Sequence, residues 1–567
     1  MKHAEFVHTP RIAYFSMEIA LKNEIPTYAG GLGILAGDTL RAGADLELPM
    51  VGVTLVSRQG HFRQEIDEEG RQIEHPSPWE PADWATMLEA KVAVEIDGRM
   101  VWIRGWLHIV EGHPGGRVPV ILLDTDLPEN EEKDRTITHW LYGGDETYRL
   151  KQEIVLGLGG LHMLQALGLT IRQYHMNEGH SALLALGLLR RFKHTEADAV
   201  RMGSPYDTAS VRELCVFTTH TPLESAVDQF PYELVRRVMG EIVDFEELAQ
   251  LAGRERLDMT ALALNLSGYV NGVAKRHAEV SRAHFPGYRI HAVTNGVHPY
   301  TWTCEPFREL YDTYIPGWCH EPGMLVRVDR IPDETLWEAH LAAKRKLIDR
   351  IKGTVHVDMH AELPLIGFGR RMTGYKRPDL LLTDLGRLRA LAKSHPFQVV
   401  MAGKAHPRDV GGKGLIQEIH RRMHDLADAV PMAFLPNYDM EIALEMVSGV
   451  DVWLNTPLPP LEASGTSGMK AALNGALNLS VLDGWWIEGH IEGATGWAIG
   501  DPGAGPAASQ APGADALYRK LEEVVLPLYA NDRGGWIGMM KGAIGKNASY
   551  FNSLRMMRRY GIEAYTR

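Results

Sequence analysis

Short apolar runs alternate with longer helix-patterned stretches along nearly all of this 567-residue chain, and few folds accept that alternation. Ile12-Ala13-Tyr14-Phe15-Ser16, Leu363 to Gly369, Val399 to Ala402 and Val450 to Leu454 are too short and too apolar for amphipathic helices. Such runs suit strands buried on both faces, each followed by a crossover helix, which predicts parallel sheets flanked by helices. The length allows two or three domains, and 45% hydrophobic with 23% charged residues supports sizeable cores. No internal repeat and no long linker interrupts the pattern. Residues 51 to 126 alternate apolar and polar residues, as in Val92-Ala93-Val94-Glu95-Ile96, and read as a β-rich section before a helical segment opening at Asp134. Ile154 to Ile171 carries no Asp, Glu, Lys or Arg and just reaches membrane-spanning length, but its four glycines, His162 and Gln165 mark a buried helix. Gly493 to Ala516, rich in Gly, Ala and Pro, is predicted as a surface loop, and Leu517 to Tyr565 as helical.

A net charge of -13 argues against nucleic acid or an anionic membrane as partner, so an anionic substrate must meet a local basic cluster. Cys215, Cys304 and Cys319 show neither metal-type spacing nor a disulfide framework, which fits a reducing cytoplasm. The opening Met1-Lys2-His3-Ala4-Glu5 lacks the apolar core of a signal peptide.

Chemistry concentrates where strands end. Glu462-Ala463-Ser464-Gly465-Thr466-Ser467-Gly468-Met469-Lys470 lies between the Val450–Leu454 run and the start of a helix. Small residues let the backbone approach a ligand closely, and unpaired amides at a helix start favour an anion. Lys470, about one turn inside, can condense with a bound aldehyde once its pKa falls from about 10.4. A phosphate and an aldehyde on one molecule describe pyridoxal phosphate; the same residues also suit a plain cap followed by a solvated lysine. Arg370-Arg371-Met372-Thr373-Gly374-Tyr375-Lys376-Arg377 puts four cations within eight residues directly after an apolar strand. That is either a solvated face or a multidentate phosphate site. After the first strand come Glu18 and then Tyr28-Ala29-Gly30-Gly31-Leu32-Gly33, a turn before a helix running from Ile34 through Leu46. Its bare amides suit an oxyanion, or the turn is only a tight connection. His175-Met176-Asn177-Glu178-Gly179-His180 and Val216 to His220 close two further strands. The two loop histidines cannot share a helix face as a zinc motif needs, so no metal is expected. A histidine at a strand terminus is either structural or placed where α/β enzymes hold ligands.

These stretches, in this order and over nearly the whole chain, resemble the α-glucan (glycogen, starch or maltodextrin) phosphorylases in their short bacterial-type form. Further matching segments are Arg149-Leu150-Lys151-Gln152-Glu153, Val270 to Lys275, Val293-Thr294-Asn295-Gly296-Val297, Leu473 to Leu477 and Trp536 to Lys541. The resemblance implies that Lys470 carries pyridoxal 5'-phosphate, with Thr466, Arg370 and Trp302 near its phosphate, Tyr438 beside it, and Gly465 among the cofactor residues and within reach of a sugar hydroxyl. It implies that Arg371, Lys376 and the amides of Gly31 and Leu32 hold the substrate phosphate, and that His220 lies beside the glucosyl ring. Glu462, Ala463, Ser464, Asn295, His180, Asn177 and Glu18 are implied on the sugar side. Lys404 resembles another recurring family lysine, and Thr373 stands where the animal enzymes carry a histidine.

The fold implied is α/β of the GT-B type: two Rossmann-like domains, 1–297 and 298–567, facing each other across a central cleft, with the last helices returning to the first domain. The reaction implied is phosphorolysis, in which orthophosphate releases the terminal α-1,4-linked glucose of glycogen or maltodextrin as α-glucose 1-phosphate, reversibly and with retention. The N-terminal regulatory segment of the animal enzyme has no counterpart, so no such allosteric control is expected; oligomeric state is left open, a homo-oligomer included. A nucleotide-sugar GT-B glycosyltransferase of the glycogen synthase kind shares the glycine turn, but carries a second carboxylate where this chain has Lys470. An ammonium cannot accept the hydrogen bonds of a donor ribose. A non-catalytic glucan-binding module would need neither that lysine nor the basic cluster.

Overall fold

The computed structural model describes residues 10–113, 115–220, 227–500 and 513–566. In chain order the first half supplies β1 (Ile12–Ser16), β2 (Met50–Leu55), β3 (Arg63–Ile66), β4 (Gln72–His75), β5 (Thr86–Ile96), β6 (Arg99–Glu111), β7 (Arg117–Asp124), β8 (Gln173–Asn177), β9 (Cys215–Thr218), β10 (Gln229–Pro231), β11 (Arg256–Asp258), β12 (Tyr269–Gly272) and β13 (Ile290–Ala292). The second half supplies β14 (Leu365–Gly369), β15 (Gln398–Ala402), β16 (Met432–Leu435), β17 (Val452–Asn455), β18 (Leu477–Val481) and β19 (Gly496–Ile499).

Among the described residues, β14 to β19 form a wholly parallel sheet in the order β16-β15-β14-β17-β18-β19. The other large sheet runs β13-β12-β9-β8-β1-β2-β7-β6-β5, parallel from β13 to β7. Its far edge departs from the all-parallel expectation, because β6 lies antiparallel to both β5 and β7. The cause is local: Asp97 and Gly98 join β5 to β6 with φ of 50° and 70°, the left-handed pair that a two-residue hairpin requires. A second correction concerns Gly493 to Ala516. Gly496–Ile499 is the edge strand β19, and its Trp497 is buried. Residues 501–512 of that stretch, like Met1 to Glu5, lie outside the described residues.

Successive side chains of a strand face opposite ways, so β1 feeds two cores. Ala13 and Phe15 pack with Val51, Leu156 and Leu184, covered by the uncharged Ile154 helix. Ile12 and Tyr14 pack with Leu40, Val120, Leu554, Met557 and Tyr560. The last three come from the helix Ser553–Tyr560, so the chain end lies on the first sheet. Tyr565 Oη stands 2.6 Å from His175 Nδ1 there.

The β3–β4 hairpin reaches from the first half to the second. Asn437 N donates to Gln64 Oε1 (2.8 Å) and Gln64 Nε2 to the Gly403 carbonyl (2.9 Å). Gln72 accepts from Ala405 N and donates to the Ala405 carbonyl, each at 2.9 Å. No helix among the described residues is long and apolar enough to cross a membrane.

Candidate active site

Parallel pairing decides which loops meet. Gly369 of β14 lies opposite Ala402 of β15, so Arg370 and Arg371 leave the same sheet edge as Lys404 and His406. β17, on the other side of β14, ends at Asn455 and leads to Glu462. Arg370 donates to Asn455 Oδ1 and, at 2.5 Å, to Glu462 Oε2; Lys376 Nζ donates to the same oxygen at 2.6 Å. Burial raises the Glu462 pKa, but Arg370 and Lys376 outweigh it and hold the group at about 2. Burial pushes Lys376 down to about 8, Arg370 adding and Glu462 opposing. Two cations thus share one carboxylate. Arg371 is exposed beside them, with no hydrogen bond or ion pair among the described residues. Lys404, pushed down to about 8 by burial, donates to the Phe62 carbonyl at 3.1 Å. The edge carries excess positive charge inside an acidic protein, as a phosphate site requires.

Lys470 lies in the helix Ser467–Leu473. Thr466 at its N-cap spends no side-chain hydrogen bond on the helix, so the first amides keep the orphan donors of any helix start. Gly465 has φ of 73°, and a Cβ on Gly484 (φ 53°) would come within 2.2 Å of the Ser464 carbonyl, so both positions favour glycine. The Ser464 carbonyl accepts from Trp485 N, and half-buried Ala463 precedes it. Lys470 Nζ stands 3.7 Å from the centre of the Trp302 ring. Burial pushes its pKa down to about 8, against an upward pull from Asp38. Among the described residues its Nζ has no hydrogen bond and no carboxylate within ion-pair distance. The contrast with Lys344 is instructive: that fully buried amine bonds the Leu363 carbonyl, Asp451 and Tyr529. Lys344 is built in, whereas Lys470 is a buried, unpaired and partly neutral amine beside a helix start. Those are the features an aldehyde and its phosphate would require, so the residues present fit pyridoxal phosphate. Trp302 is fixed by Nε1 donating to Asp38 Oδ2 at 2.8 Å, and Asn474 Nδ2 ties the Trp302 and Lys470 carbonyls together. Tyr438 packs over the end of β14, where a Cβ on Gly369 would fall 2.9 Å from its hydroxyl.

From the first half comes the helix Gly31–Asp45, which begins at Gly31 rather than Ile34. Glu18 sets that start: Oε2 accepts from Ala29 N (2.6 Å) and Gly30 N (3.0 Å), and Oε1 accepts from the Tyr142 hydroxyl (2.9 Å). With both oxygens turned inward, Glu18 shapes the amides of Gly31 and Leu32; the structure does not present it as a substrate contact. Asn177 is likewise turned inward, accepting from His220 Nε2 (2.6 Å) and donating to Ser16 Oγ (3.1 Å). Burial pushes His220 down to about 3, so its ring is neutral with the proton on Nε2. His180 Nδ1 and Asn295 Oδ1 are buried without a partner among the described residues. A buried acceptor without a partner costs roughly 1–3 kcal/mol, which a bound hydroxyl or an ordered water recovers.

Three groups here escaped the sequence reading. Asp38 is an acid directly after the apolar Ile34-Leu35-Ala36-Gly37 of the Gly31–Asp45 helix, which was a readable signal. Asn455, and Asp483, whose carboxylate accepts from Glu462 N at 2.9 Å, gave none.

A buried amine, surplus cations at one sheet edge and unsatisfied acceptors from another fit an α/β protein with a site for anionic and polyhydroxylated ligands. Known proteins narrow the class. The profile of the carbohydrate phosphorylase family matches residues 241–495. Over 98% of its length the chain is 38% identical to maltodextrin phosphorylase of Thermococcus litoralis, covering 70% of that protein. Over 100% of its length it is 36% identical to glycogen phosphorylase of Aquifex aeolicus, covering 88%. Glycogen phosphorylase of Mycobacterium tuberculosis is 36% identical over 98% of the chain and 70% of its own length. The chain belongs to the carbohydrate phosphorylase family.

Proposed function

We propose that this protein is an α-glucan phosphorylase, cleaving the terminal α-1,4-glucosyl unit of glycogen or maltodextrin with orthophosphate to give α-glucose 1-phosphate, reversibly and with retention. The observation that carries the reading is the unpaired, buried Lys470 amine beside an edge with more cations than carboxylates. Lys470 anchors pyridoxal 5'-phosphate, with Thr466, Gly465, Arg370, Tyr438 and Trp302 around it. When bound, that cofactor supplies a phosphate group able to exchange a proton with the substrate phosphate.

Everything else falls to the chain. Arg371, Lys376 and the amides of Gly31 and Leu32 hold orthophosphate, and their fixed charge offsets the repulsion between two neighbouring phosphates. Glu462 Oε1, which has no hydrogen bond among the described residues, Asn295 Oδ1 and His180 Nδ1 accept sugar hydroxyls and orient the ring. His220 offers Nδ1 as an acceptor, oriented by Asn177. Ala463 and Ser464 line the sugar side. We divide the chain into Rossmann-like domains 1–297 and 298–567 facing across a GT-B cleft; support comes from site residues lying at the carboxyl edges of both sheets. Cytoplasmic residence fits three free cysteines.

The test is phosphate-dependent release of glucose 1-phosphate from maltodextrin by protein showing pyridoxal absorbance. Arg371→Ala should abolish release and keep the absorbance. Activity with a nucleotide sugar and none with orthophosphate would overturn the assignment.

A further inference from the structure

Spacing along the chain gives the cysteines no metal pattern, but folding brings Cys319 between two histidines, one from each half. His113 sits in the β6–β7 loop, and Cys319 and His320 follow the helix Glu305–Tyr314. One ligand atom from each lies within 4.8 Å of the other two. We infer that His113, Cys319 and His320 form a zinc site, completed by water, at the end of the Gly31–Asp45 helix opposite Gly31. A fifteen-residue helix puts it about 20 Å along the axis from those amides, and no step proposed above uses it.

The geometry is close to what zinc asks. With bonds of about 2.1 Å to nitrogen and 2.3 Å to sulfur, tetrahedral ligand atoms stand about 3.5 Å apart and two bound imidazole centres about 5 Å apart. The rings of His113 and His320 have centres 5.5 Å apart. The remaining difference of about 1 Å between ligand atoms is within reach of side-chain rotation, since both histidines are exposed. Their supports are already in place. The His113 ring stacks on Tyr300 (centres 4.2 Å apart), and its backbone amide donates to Asp45 Oδ1 at 2.7 Å. Gly112 and Gly116 let the loop ride against Ala44, where a Cβ would come within 2.7 and 2.0 Å of its backbone. On the other side Gly317 (φ 87°) turns the chain, and the His320 amide donates to the Gly317 carbonyl. Two imidazoles and a thiolate suit zinc and exclude magnesium or calcium, which take oxygen ligands. Binding releases the Cys319 thiol proton to solvent. Bound metal would join the β6–β7 loop to the second half of the chain.

The untagged full-length protein, treated with chelator, is titrated with Co²⁺ as a stand-in, read by its visible d–d bands, clear of pyridoxal absorbance. The expected result is a saturable tetrahedral spectrum, displaced by Zn²⁺ and unchanged in Cys215→Ser. Affinity should fall on the order of 100-fold or more in Cys319→Ser and in the exposed-site variant His320→Gln, whose folding is checked by circular dichroism. A weak octahedral spectrum in the parent protein, or a tetrahedral one that survives His320→Gln or Cys319→Ser undiminished, overturns the site.

Discussion

Glu462→Gln leaves Arg370 and Lys376, both buried, sharing a neutral amide where one carboxylate oxygen had accepted from them at 2.5 and 2.6 Å. Removing one partner of a buried ion pair costs roughly 3–5 kcal/mol, and repulsion between the stranded cations adds to it. One relief is available. Lys376 has a pKa of about 8 even with Glu462 present, so shedding its proton at pH 7 costs only about 1.4 kcal/mol, and less once the carboxylate is gone. That escape holds the loss near the lower end, about 3 kcal/mol. Orthophosphate should restore what the mutation removes, because an anion at this edge replaces the missing charge; at a hundredfold excess over Kd it contributes about 2.7 kcal/mol. The measurement is urea denaturation followed by tryptophan fluorescence, with and without phosphate at constant ionic strength. pH gives an independent check. The Glu462 pKa is depressed in the fold, so its stabilisation is complete above about pH 4.5 and is lost as pH falls toward 2. The variant should lack that decline. Equal stability of parent and variant without phosphate, or an equal gain from phosphate in both, would refute the reasoning.

Lys470, at a pKa of about 8, carries the free amine in about a tenth of molecules at pH 7, against well under a thousandth for an ordinary lysine. Borohydride trapping of pyridoxal phosphate should therefore label Lys470, more fully as pH rises through 8, and peptide mass mapping should find no label there in Lys470→Arg. Asp451→Asn strands Lys344 and should destabilise the fold by roughly 3–5 kcal/mol in denaturation experiments while leaving KM for phosphate unchanged. Tyr142→Phe removes a hydrogen bond to the Glu18 carboxylate that sets the Gly31 turn. KM for orthophosphate should rise by up to about tenfold in initial-rate assays, part of the 1.5–3 kcal/mol of a charged hydrogen bond; no change would remove Glu18 from any positioning role.

Much of this was readable along the chain because parallel sheets are made of locally recognisable pieces: an apolar run, a turn, a helix. Lys470, Arg370 and Gly31 could be picked out as candidates in that way. The antiparallel edge was also written in Asp97-Gly98, a stronger signal than the alternation around it. What stayed hidden depends on strand order. Glu462 meets Arg370 only because β17 lies beside β14, across 92 residues of sequence, and Trp302 meets Asp38 across 264. Composition misled at Gly493 to Ala516, where glycines that suit a loop also allow the close pairing of β19 with β18. At Glu18 the residue type was right for a sugar contact, but the direction of its oxygens could not be known.

The Gln64 and Gln72 grip on Gly403, Ala405 and Asn437 consists entirely of neutral amides bonded to main chain or to each other. Buffer acidity and added electrolyte leave such joints alone. With the cations holding the anion as proposed, a turnover series across ionic strength should report on them and on the Lys413–Glu74 ion pair, the one salt-sensitive tie between this hairpin and the second half among the described residues, while the glutamine joints stay as they are.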